Sequence, residues 1–226
     1  MLNEPTYVDS DGGRNKKKMS KNYILILMIG ATLFWACEGT NTVANEQELQ
    51  AYVMDIDNGL IKEKKVGDIN ISVAYRPTDL LVMQDLGKKK ADTASINKLR
   101  RKYGNYAYFI LSVSKNNKEA LYQTGKGMGA FSENVQNLAF RMDQFVTMTT
   151  SERDTIPVAD FIYPRLYGIS SATQVMFVFS NKKIKTSEWI NFNLRDFGLD
   201  MGRNNFRFSA EDIGRVPSIE FYEKRE

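Results

Sequence analysis

The stretch NYAYFILSVS, residues 105–114, decides the fold of this chain. It carries no charge, and apolar side chains stand at both its odd and its even positions. Aromatic and β-branched residues favour extended structure, and a strand that is apolar on both faces must be covered on both faces. The stretch therefore predicts a central strand of a buried sheet. Gly104 before it closes a helix predicted over residues 93–102, and Asn116-Asn117 after it predict a hairpin with residues 120–124.

Other strand-like stretches lie on both sides of this one. In DINISVAYR, residues 68–76, apolar and polar side chains alternate until Pro77 ends the pattern. The last third of the chain repeats this behaviour in short segments separated by turn-forming residues. Its five predicted strands are FVTMTT at 145–150, TIPVADFIY at 155–163, TQVMFVFS at 173–180, EWINFNLRDF at 188–197 and NFRFS at 205–209.

Two segments have the period of a helix. Residues 44–60 carry one apolar stripe, with Asn45 as the N-cap and Gly59 near the end. We expect this amphipathic helix to pack on its own domain rather than on a membrane, because its polar face is acidic. Residues 132–144 follow the same period, with Ser132 as the predicted N-cap.

These patterns predict a mainly β, single-domain protein with an antiparallel, β-sandwich-like fold and two or three connecting helices. Several short strands at this spacing are typical of a β-sandwich or a barrel. We assign the mainly β domain to residues 61–226, and a tether with the amphipathic helix to residues 37–60. The sequence shows no internal repeat.

A long apolar run, KNYILILMIGATLFWACEGTN at residues 21–41, stands apart from the β domain. Residues 22–37 carry no charge, and a cluster of lysines precedes them. A secretory signal has a basic segment followed by about 7–15 apolar residues, whereas a helix that spans a bilayer needs about 18 or more. The run therefore favours export over an uncleaved membrane anchor or a buried helix.

Residues 19–37 resemble the signal peptide of a bacterial lipoprotein, in the form found in Bacteroidota-type bacteria. The resemblance rests on Leu33-Phe34-Trp35-Ala36-Cys37, where a small residue precedes the single cysteine of the chain. It implies that diacylglycerol is attached to the Cys37 sulfur and that residues 19–36 are removed as the signal peptide. The resemblance concerns this segment alone and leaves the β domain unassigned.

The same resemblance implies a location. Glu38, which follows the cysteine, implies release to the outer membrane, where two or more acyl chains give a stable anchor. The sequence leaves open whether the domain faces the periplasm or the cell surface. Met19 can itself start the signal, so we interpret residues 1–18 as an upstream extension.

Residue counts exclude whole classes of chemistry. The chain has 0 histidines and 1 cysteine, which the lipoprotein interpretation assigns to lipidation. Nucleophilic sites that depend on histidine, and nearly all zinc and copper sites, are therefore excluded. Carboxylates, lysines and cations bound by oxygen remain, and no motif predicts a cofactor. The charge of +4 is not gathered into a basic face, so we expect no nucleic-acid partner.

Three segments are weak candidates for a site. The glycines of TGKGMGAFS, residues 124–132, resemble an anion-binding loop, although a flexible connection explains them better. Residues 195–206, RDFGLDMGRNNF, hold calcium-type oxygen ligands but lack the spacing of a calcium loop, so a polar hairpin is the simpler interpretation. Asp154 and Asp160 would form a glycosidase pair only at about 5–9.5 Å.

Aromatic residues give the candidate binding surface. Tyr163, Arg165 and Tyr167 stand together beside a proline, and an arginine between aromatics is poorly explained as core. Tyrosine and arginine are enriched at protein interfaces. We therefore predict a binding surface at these three residues, and a second tyrosine cluster at residues 103–108 is a candidate for sugar or peptide binding.

The function expected from the sequence is non-catalytic. We expect a lipid-anchored envelope lipoprotein that serves as a binding or assembly module for another envelope protein or ligand. Two alternatives stay open: a carboxylate-based, glycan-directed envelope hydrolase, and an anchoring subunit of a secretion or conjugation apparatus. The lack of histidine and of a catalytic signature favours binding over hydrolysis.

Overall fold

An antiparallel sheet forms the body of the protein. The structure, a computed structural model, describes residues 42–87, 92–123, 125 and 127–221. These residues fall within one compact unit of the chain. The predictions for residues 1–18, for the signal peptide at 19–36 and for Cys37 lie outside the described residues.

The strands are named in chain order. They are β1 Thr42–Val43, β2 Ile61–Val66, β3 Ile69–Arg76, β4 Tyr106–Lys115, β5 Lys118–Glu119, β6 Val146–Thr150, β7 Thr155–Ile162, β8 Thr173–Ser180, β9 Trp189–Leu194, β10 Asn204–Ser209 and β11 Ser218–Ile219.

The helices are named in the same way. They are α1 Glu46–Met54, α2 Thr78–Leu86, α3 Thr93–Tyr103, α4 Gly127–Phe140, α5 Met142–Phe145, α6 Asn181–Ile184 and α7 Ala210–Gly214, with 3-10 helices at Ile56–Asn58 and Ala120–Gln123.

The sheet is nearly closed on itself. Its strand order is β10-β9-β6-β7-β8-β4-β3-β2, with β5 paired to β4, and the two outer strands β10 and β2 come into contact. The Lys64 ammonium group of β2 lies 5.3 Å from the centre of the Phe206 ring of β10. A lysine on an edge strand discourages pairing with other chains. The structure thus confirms a mainly β fold with connecting helices, in which one curved sheet supplies both layers around the core.

The predicted central strand is confirmed. β4 pairs with β3 on one side and β8 on the other, and Phe109 stands at the middle of its inward face. The Phe109 ring lies 5.2 Å from Phe208 and 5.5 Å from Tyr75, centre to centre. Such edge-to-face pairs add about 0.5–1.5 kcal/mol each beyond the burial of their area. The core is therefore an aromatic cluster enclosed by the curved sheet.

The strand β7 carries the bend of the sheet. Residues up to Pro157 pair with β6, whereas residues from Val158 onward pair with β8. The register shifts between Val158 and Asp160, and such a bulge bends a strand and strengthens its twist.

The strands β3, β4 and β8 run between two different ends of the sheet. At one end, which we call the helical end, β3 leads to α2, α3 leads to β4, and β8 leads to α6. At the other, the loop end, lie the β2–β3 turn, the β4–β5 turn and the loop at residues 163–172. The eight residues of β8 separate these ends by about 25 Å at about 3.3 Å per residue.

A buried ion pair fixes the described chain ends to the helical end. Arg100 of α3 donates to both carboxylate oxygens of Asp79, at 2.8 and 2.6 Å, and to the carbonyl of Ile219 at 3.0 Å. The Ile219 amide donates to Asp79 at 2.8 Å. Because β11 pairs with β1, this clamp also holds Thr42 at the start of β1.

Most of the predicted elements are confirmed, with shifts of a few residues at their ends. Asn45 caps α1 by accepting from the Glu48 amide, and Gly59 ends the following 3-10 helix in the left-handed conformation. Leu49 and Val53 are buried, so α1 packs on its own domain as expected. Gly104 follows α3, and Pro77 ends β3.

Two local predictions were wrong. The helix predicted to start at Ser132 begins at Gly127, so that Phe131 lies within it and packs against the Tyr122 ring, 5.5 Å away. The turn at Asn116-Asn117 exists, but its return strand is only Lys118–Glu119, and the residues after it form a 3-10 helix instead of a strand. This helix buries Ala120 and Leu121 together in the core.

Candidate functional site

The loop end presents exposed apolar side chains. Tyr167 is 72% exposed and Ile169 is 88% exposed, and Arg165 beside them is exposed as well. Tyr122 reaches the same place, since its ring lies against the backbone of Gly168. We call Tyr122, Arg165, Tyr167 and Ile169 the loop surface.

The backbone of this loop is firmly held. Tyr167 and Gly168 both have positive φ, at 53° and 84°, and a tyrosine adopts this region only when its surroundings impose it. The carboxylate of Glu119, only 2% exposed, accepts from the Gly168 amide at 2.8 Å and from the Ser170 amide at 3.2 Å. A buried carboxylate thus fixes the conformation that turns Tyr167 and Ile169 outward.

Tyr163 lies beneath the loop surface. Its ring is partly buried against the core, and its hydroxyl oxygen is buried without a hydrogen-bond partner among the described residues. Burial raises the pKa of Tyr163 to about 12, with smaller contributions from Tyr122 and Glu119. Of the three residues predicted from sequence, Arg165 and Tyr167 are therefore exposed, while Tyr163 supports them from below.

A groove on the outer face of the sheet forms a second candidate site. It has a volume of about 670 Å³. We call it the tyrosine groove, and its lining is Leu81, Gln84, Asp85, Tyr103, Tyr106, Tyr108, Ala159, Asp160, Ile162, Met176 and Val178. The cluster of three tyrosines noted in the sequence thus meets residues of α2, β7 and β8.

Strand register builds the floor of the groove. Asp160 of β7 is paired with Val178 of β8, and Val178 is paired with Tyr108 of β4, so the three stand in one row across the sheet. Leu81 of α2 packs on Tyr108 and Val178 as a small separate core. The helices α2 and α3 therefore form one wall of the groove and β7 forms the other.

Hydrogen bonds organise the helical wall. The Tyr103 hydroxyl donates to Asp85 Oδ2 at 2.8 Å, and the Lys102 ammonium group lies 3.3 Å from the same oxygen. Burial raises the pKa of Tyr108 to about 12, with smaller contributions from Tyr103 and Tyr106. Tyr108 is therefore a neutral phenol at physiological pH.

The carboxylate pair considered from sequence does not form. Asp154 precedes β7 and Asp160 lies six residues further along it, so their Cα atoms are about 20 Å apart at the rise of a strand. Asp154 instead lies 2.9 Å from the Lys183 ammonium group. The structure instead places Asp160 in the same groove as Asp85. These two residues are far apart in the sequence, so their proximity could not be predicted from it.

Residues 195–206 connect β9 and β10 as the expected hairpin, but its loop is largely apolar rather than polar. Phe197, Leu199 and Met201 are buried in the main core. Asp196 accepts from the backbone amides of Leu199 and Met201, at 3.0 and 3.2 Å, so its oxygen organises the loop itself. Within the described residues, no group of three or more acidic or other metal-binding side chains could hold a metal ion.

The glycine-rich segment is divided between a turn and a helix. Gly125 and Gly127 both have positive φ, at 64° and 84°, and the helix α4 begins at Gly127 and includes Gly129. Thr124 and Lys126 lie outside the described residues. In the described part of the chain, no helix is both long enough and apolar enough to cross a membrane.

Comparisons with known proteins leave the chain without a family. No protein-family model matches it, and no curated protein matches it. A similar solved structure is the crystal structure of a novel protein of unknown function from Burkholderia pseudomallei K96243. The two share 8% identity and a TM-score of 0.36, over 75% of this chain and 88% of that chain. A similarity this low assigns neither a fold family nor a function.

Proposed function

We propose that this protein is a lipid-anchored, non-catalytic binding module of the bacterial cell envelope. In this proposal the lipidated Cys37 holds it at a membrane, most simply the outer membrane, and the loop surface contacts another envelope protein. The resemblance to a lipoprotein signal supports the anchor. The rigid, exposed loop surface supports the partner, and it is the observation on which the binding function rests.

The chemistry of the loop surface suits a protein partner. Isolated apolar side chains are common on surfaces, but Tyr167 and Ile169 are two residues apart and both largely exposed. Tyrosine and arginine are the residue types enriched where proteins bind tightly. Because Glu119 already fixes the loop, binding would lose little conformational entropy, which favours affinity.

The two ends of the sheet suit an anchored protein. Five residue steps join Cys37 to Thr42, and they span at most about 18 Å. Thr42 is held at the helical end by the Asp79–Arg100 clamp, whereas the loop surface lies at the other end, about 25 Å along the strands. The tether therefore joins the described domain at the end of the sheet opposite the loop surface, which supports the loop surface as the part of an anchored protein that meets a second envelope protein.

Site-specific photo-crosslinking tests the partner. A photoreactive amino acid at position 167 or 169, in the full-length protein in its native host, should give a discrete adduct with one envelope protein. Phe140 is the matched control, because it is also an exposed aromatic, at 76%, on the separate helix α4. Adducts of equal yield at positions 140 and 167, or no adduct at either loop position, would contradict the proposal.

Cysteine replacement tests the anchor separately. The Cys37→Ser variant should keep residues 19–36 or leave the membrane fraction, and the wild-type protein should carry acyl chains on an amino-terminal Cys37. Membrane fractionation and intact mass measure both outcomes. A wild-type mass that retains residues 19–36 without lipid would refute the anchor and leave the test of the loop surface valid.

One observation favours a second candidate function, carboxylate-based hydrolysis of a glycan. Asp85 and Asp160 line opposite walls of the tyrosine groove, and glycosidases use two carboxyl groups across the scissile bond. Against it, the Asp85 carboxylate is already engaged by Tyr103 and Lys102. Release of reducing ends from envelope glycans by the wild-type protein, lost in Asp160→Asn, would establish this function in place of the first.

A further inference from the structure

We infer that the tyrosine groove is a binding site for a short, uncharged oligosaccharide. This site is distinct from the loop surface and does not depend on the proposed protein partner. It lies on the outer face of the sheet next to α2 and α3.

The aromatic groups of the groove suit the faces of sugar rings. Tyr106 is 41% exposed and lies at the helical end of β4, while Tyr108 forms the floor and Tyr103 the helical wall. Sugar rings present C–H groups on their faces, and these stack on aromatic rings while the hydroxyls remain free for hydrogen bonds. Met176 and Val178 extend the apolar floor beyond the tyrosines.

The polar groups stand on both walls, as a ligand with peripheral hydroxyls requires. On the helical wall, Asp85 is oriented by Tyr103, and Gln84 accepts from the Arg76 guanidinium at 3.1 Å. On the opposite wall, Asp160 is held by the Phe161 amide at 2.8 Å. Carboxylates accept from hydroxyl pairs, and side chains fixed by neighbours bind at a lower entropic cost.

The floor offers side chains and no free backbone. The strand β4 is paired with β8 from Tyr106 onward and with β3 from Tyr108 onward, and β8 is paired with β4 and β7. A peptide that binds as an added strand needs unpaired backbone N–H and C=O groups, which this floor lacks. A ligand that binds to side-chain acceptors and aromatic rings therefore fits this floor better than an extended peptide does.

The charges of the lining favour a neutral ligand. Two carboxylates line the groove, and the ammonium group of Lys102 is already bound to one of them, Asp85. An anionic ligand would be repelled by Asp160, and a cationic ligand would have to compete with Lys102 for Asp85. The volume of about 670 Å³ lies within the range of about 300–1,000 Å³ that small-ligand sites occupy.

The test is a binding titration with defined sugars. The full-length protein, in a detergent without a sugar headgroup, is titrated with chitotetraose, cellotetraose and maltotetraose by calorimetry. Ligand-observed nuclear magnetic resonance supplies an independent readout. We expect at least one tetrasaccharide to bind with a dissociation constant below about 1 mM. Raising the salt from about 50 to 500 mM should change this dissociation constant less than about twofold, because an uncharged sugar forms no ion pair with the protein.

Variants locate the site. Tyr106→Ala should weaken binding about tenfold or more, whereas Tyr106→Phe should stay within about threefold, because the ring face is kept. Asp160→Asn should also weaken binding, and Phe140→Ala, outside both surfaces, should not. Circular dichroism of each variant checks that the fold is kept, and the exposure of Tyr106 makes unfolding by its substitution unexpected.

Three outcomes would overturn the inference. No tetrasaccharide binds at about 5 mM, well above the expected constant. Alternatively, binding survives both Tyr106→Ala and Asp160→Asn. Finally, a nonapeptide of proline and lysine binds at Tyr106, in a manner that salt weakens, while the sugars do not.

Discussion

The tyrosine groove and the loop surface use the same residue type in opposite ways. In the groove, Tyr108 is 7% exposed, and strand register places it with its neighbours in the floor. In the loop surface, Tyr167 is mostly exposed and owes its place to a left-handed backbone held by Glu119. The backbone that carries a tyrosine, a strand in one case and a loop in the other, therefore decides whether its ring lines a site or projects from one.

Their supports also differ, so each region can be weakened alone. The groove depends on α2 and α3, which the Asp79–Arg100 clamp holds together. The loop surface depends on one buried carboxylate, Glu119. Substitutions at these supports should therefore separate the two regions.

The largest expected effect is at the clamp. Asp79→Ala leaves the Arg100 guanidinium without its carboxylate, and the Ile219 amide without its acceptor. Breaking a buried pair costs about 3–5 kcal/mol, and the partial exposure of Arg100 reduces this to about 2–4 kcal/mol. The melting temperature of Asp79→Ala should therefore be lower than that of the wild-type protein by roughly 5–15 °C.

Hydrogen exchange gives this prediction its spatial control. In Asp79→Ala, the protection of backbone amides from exchange should fall across α2, α3 and β11. The amides of the loop at residues 163–172 should keep their protection. Asp57→Ala, at an exposed position, should change stability by less than about 0.5 kcal/mol. An Asp79→Ala protein as stable as the Asp57→Ala protein would show that the clamp does not hold the helical end.

A smaller effect is expected under the loop surface. Glu119→Gln keeps the shape of the side chain but replaces charged acceptor bonds to Gly168 and Ser170 with weaker neutral ones. We expect a loss of about 1–2 kcal/mol and faster amide exchange at residues 168 and 170. Sugar binding in the groove should be unchanged. Slow exchange at both amides in the variant would mean that other contacts fix the loop.

The smallest effect concerns acid stability near the helical end. Glu152 accepts from the hydroxyls of Ser151 and Ser187, at 2.6 and 2.8 Å, and these bonds lower the pKa of Glu152 to about 2. Because the folded pKa lies below the unfolded value of 4.5, the stabilisation is complete above pH 4.5 and is lost as the pH falls towards 2.

Thermal melts from pH 2 to pH 6 measure this linkage. The wild-type protein should exceed Glu152→Gln in melting temperature at pH 6, and the difference should shrink steadily below pH 4.5. The wild-type protein and Glu152→Gln should bind sugar alike where they are folded. A difference that is constant across this range would refute the role of Glu152.

Sequence patterns predicted the sheet because its strands keep a two-residue period. Ile190, Phe192 and Leu194 alternate with polar residues, and all three are buried in the core. The helix α2 was missed because both of its sides are covered: Leu80 packs towards β11, while the adjacent Leu81 packs on the groove floor. A helix buried on two sides loses the apolar stripe on which sequence reasoning depends.

The two candidate sites were predictable to different degrees. Arg165 and Tyr167 were found because they are adjacent in sequence, whereas Ile169 gave no signal apart from being an isolated apolar residue. The groove joins Asp85 to Asp160, whose proximity depends on strand register and on the bulge in β7. Such long-range pairings are set by tertiary packing and leave no local pattern.

One measurement tests the central claim, that two independent surfaces serve one anchored module. Tyr106→Ala and a double variant, Tyr167→Asn with Ile169→Ser, are compared for tetrasaccharide affinity and for crosslinking from a photoreactive residue at position 165. We expect the groove variant to lose sugar binding and keep the adduct, and the loop variant to keep sugar binding and lose the adduct. Loss of both activities in either folded variant, or of neither, would contradict it.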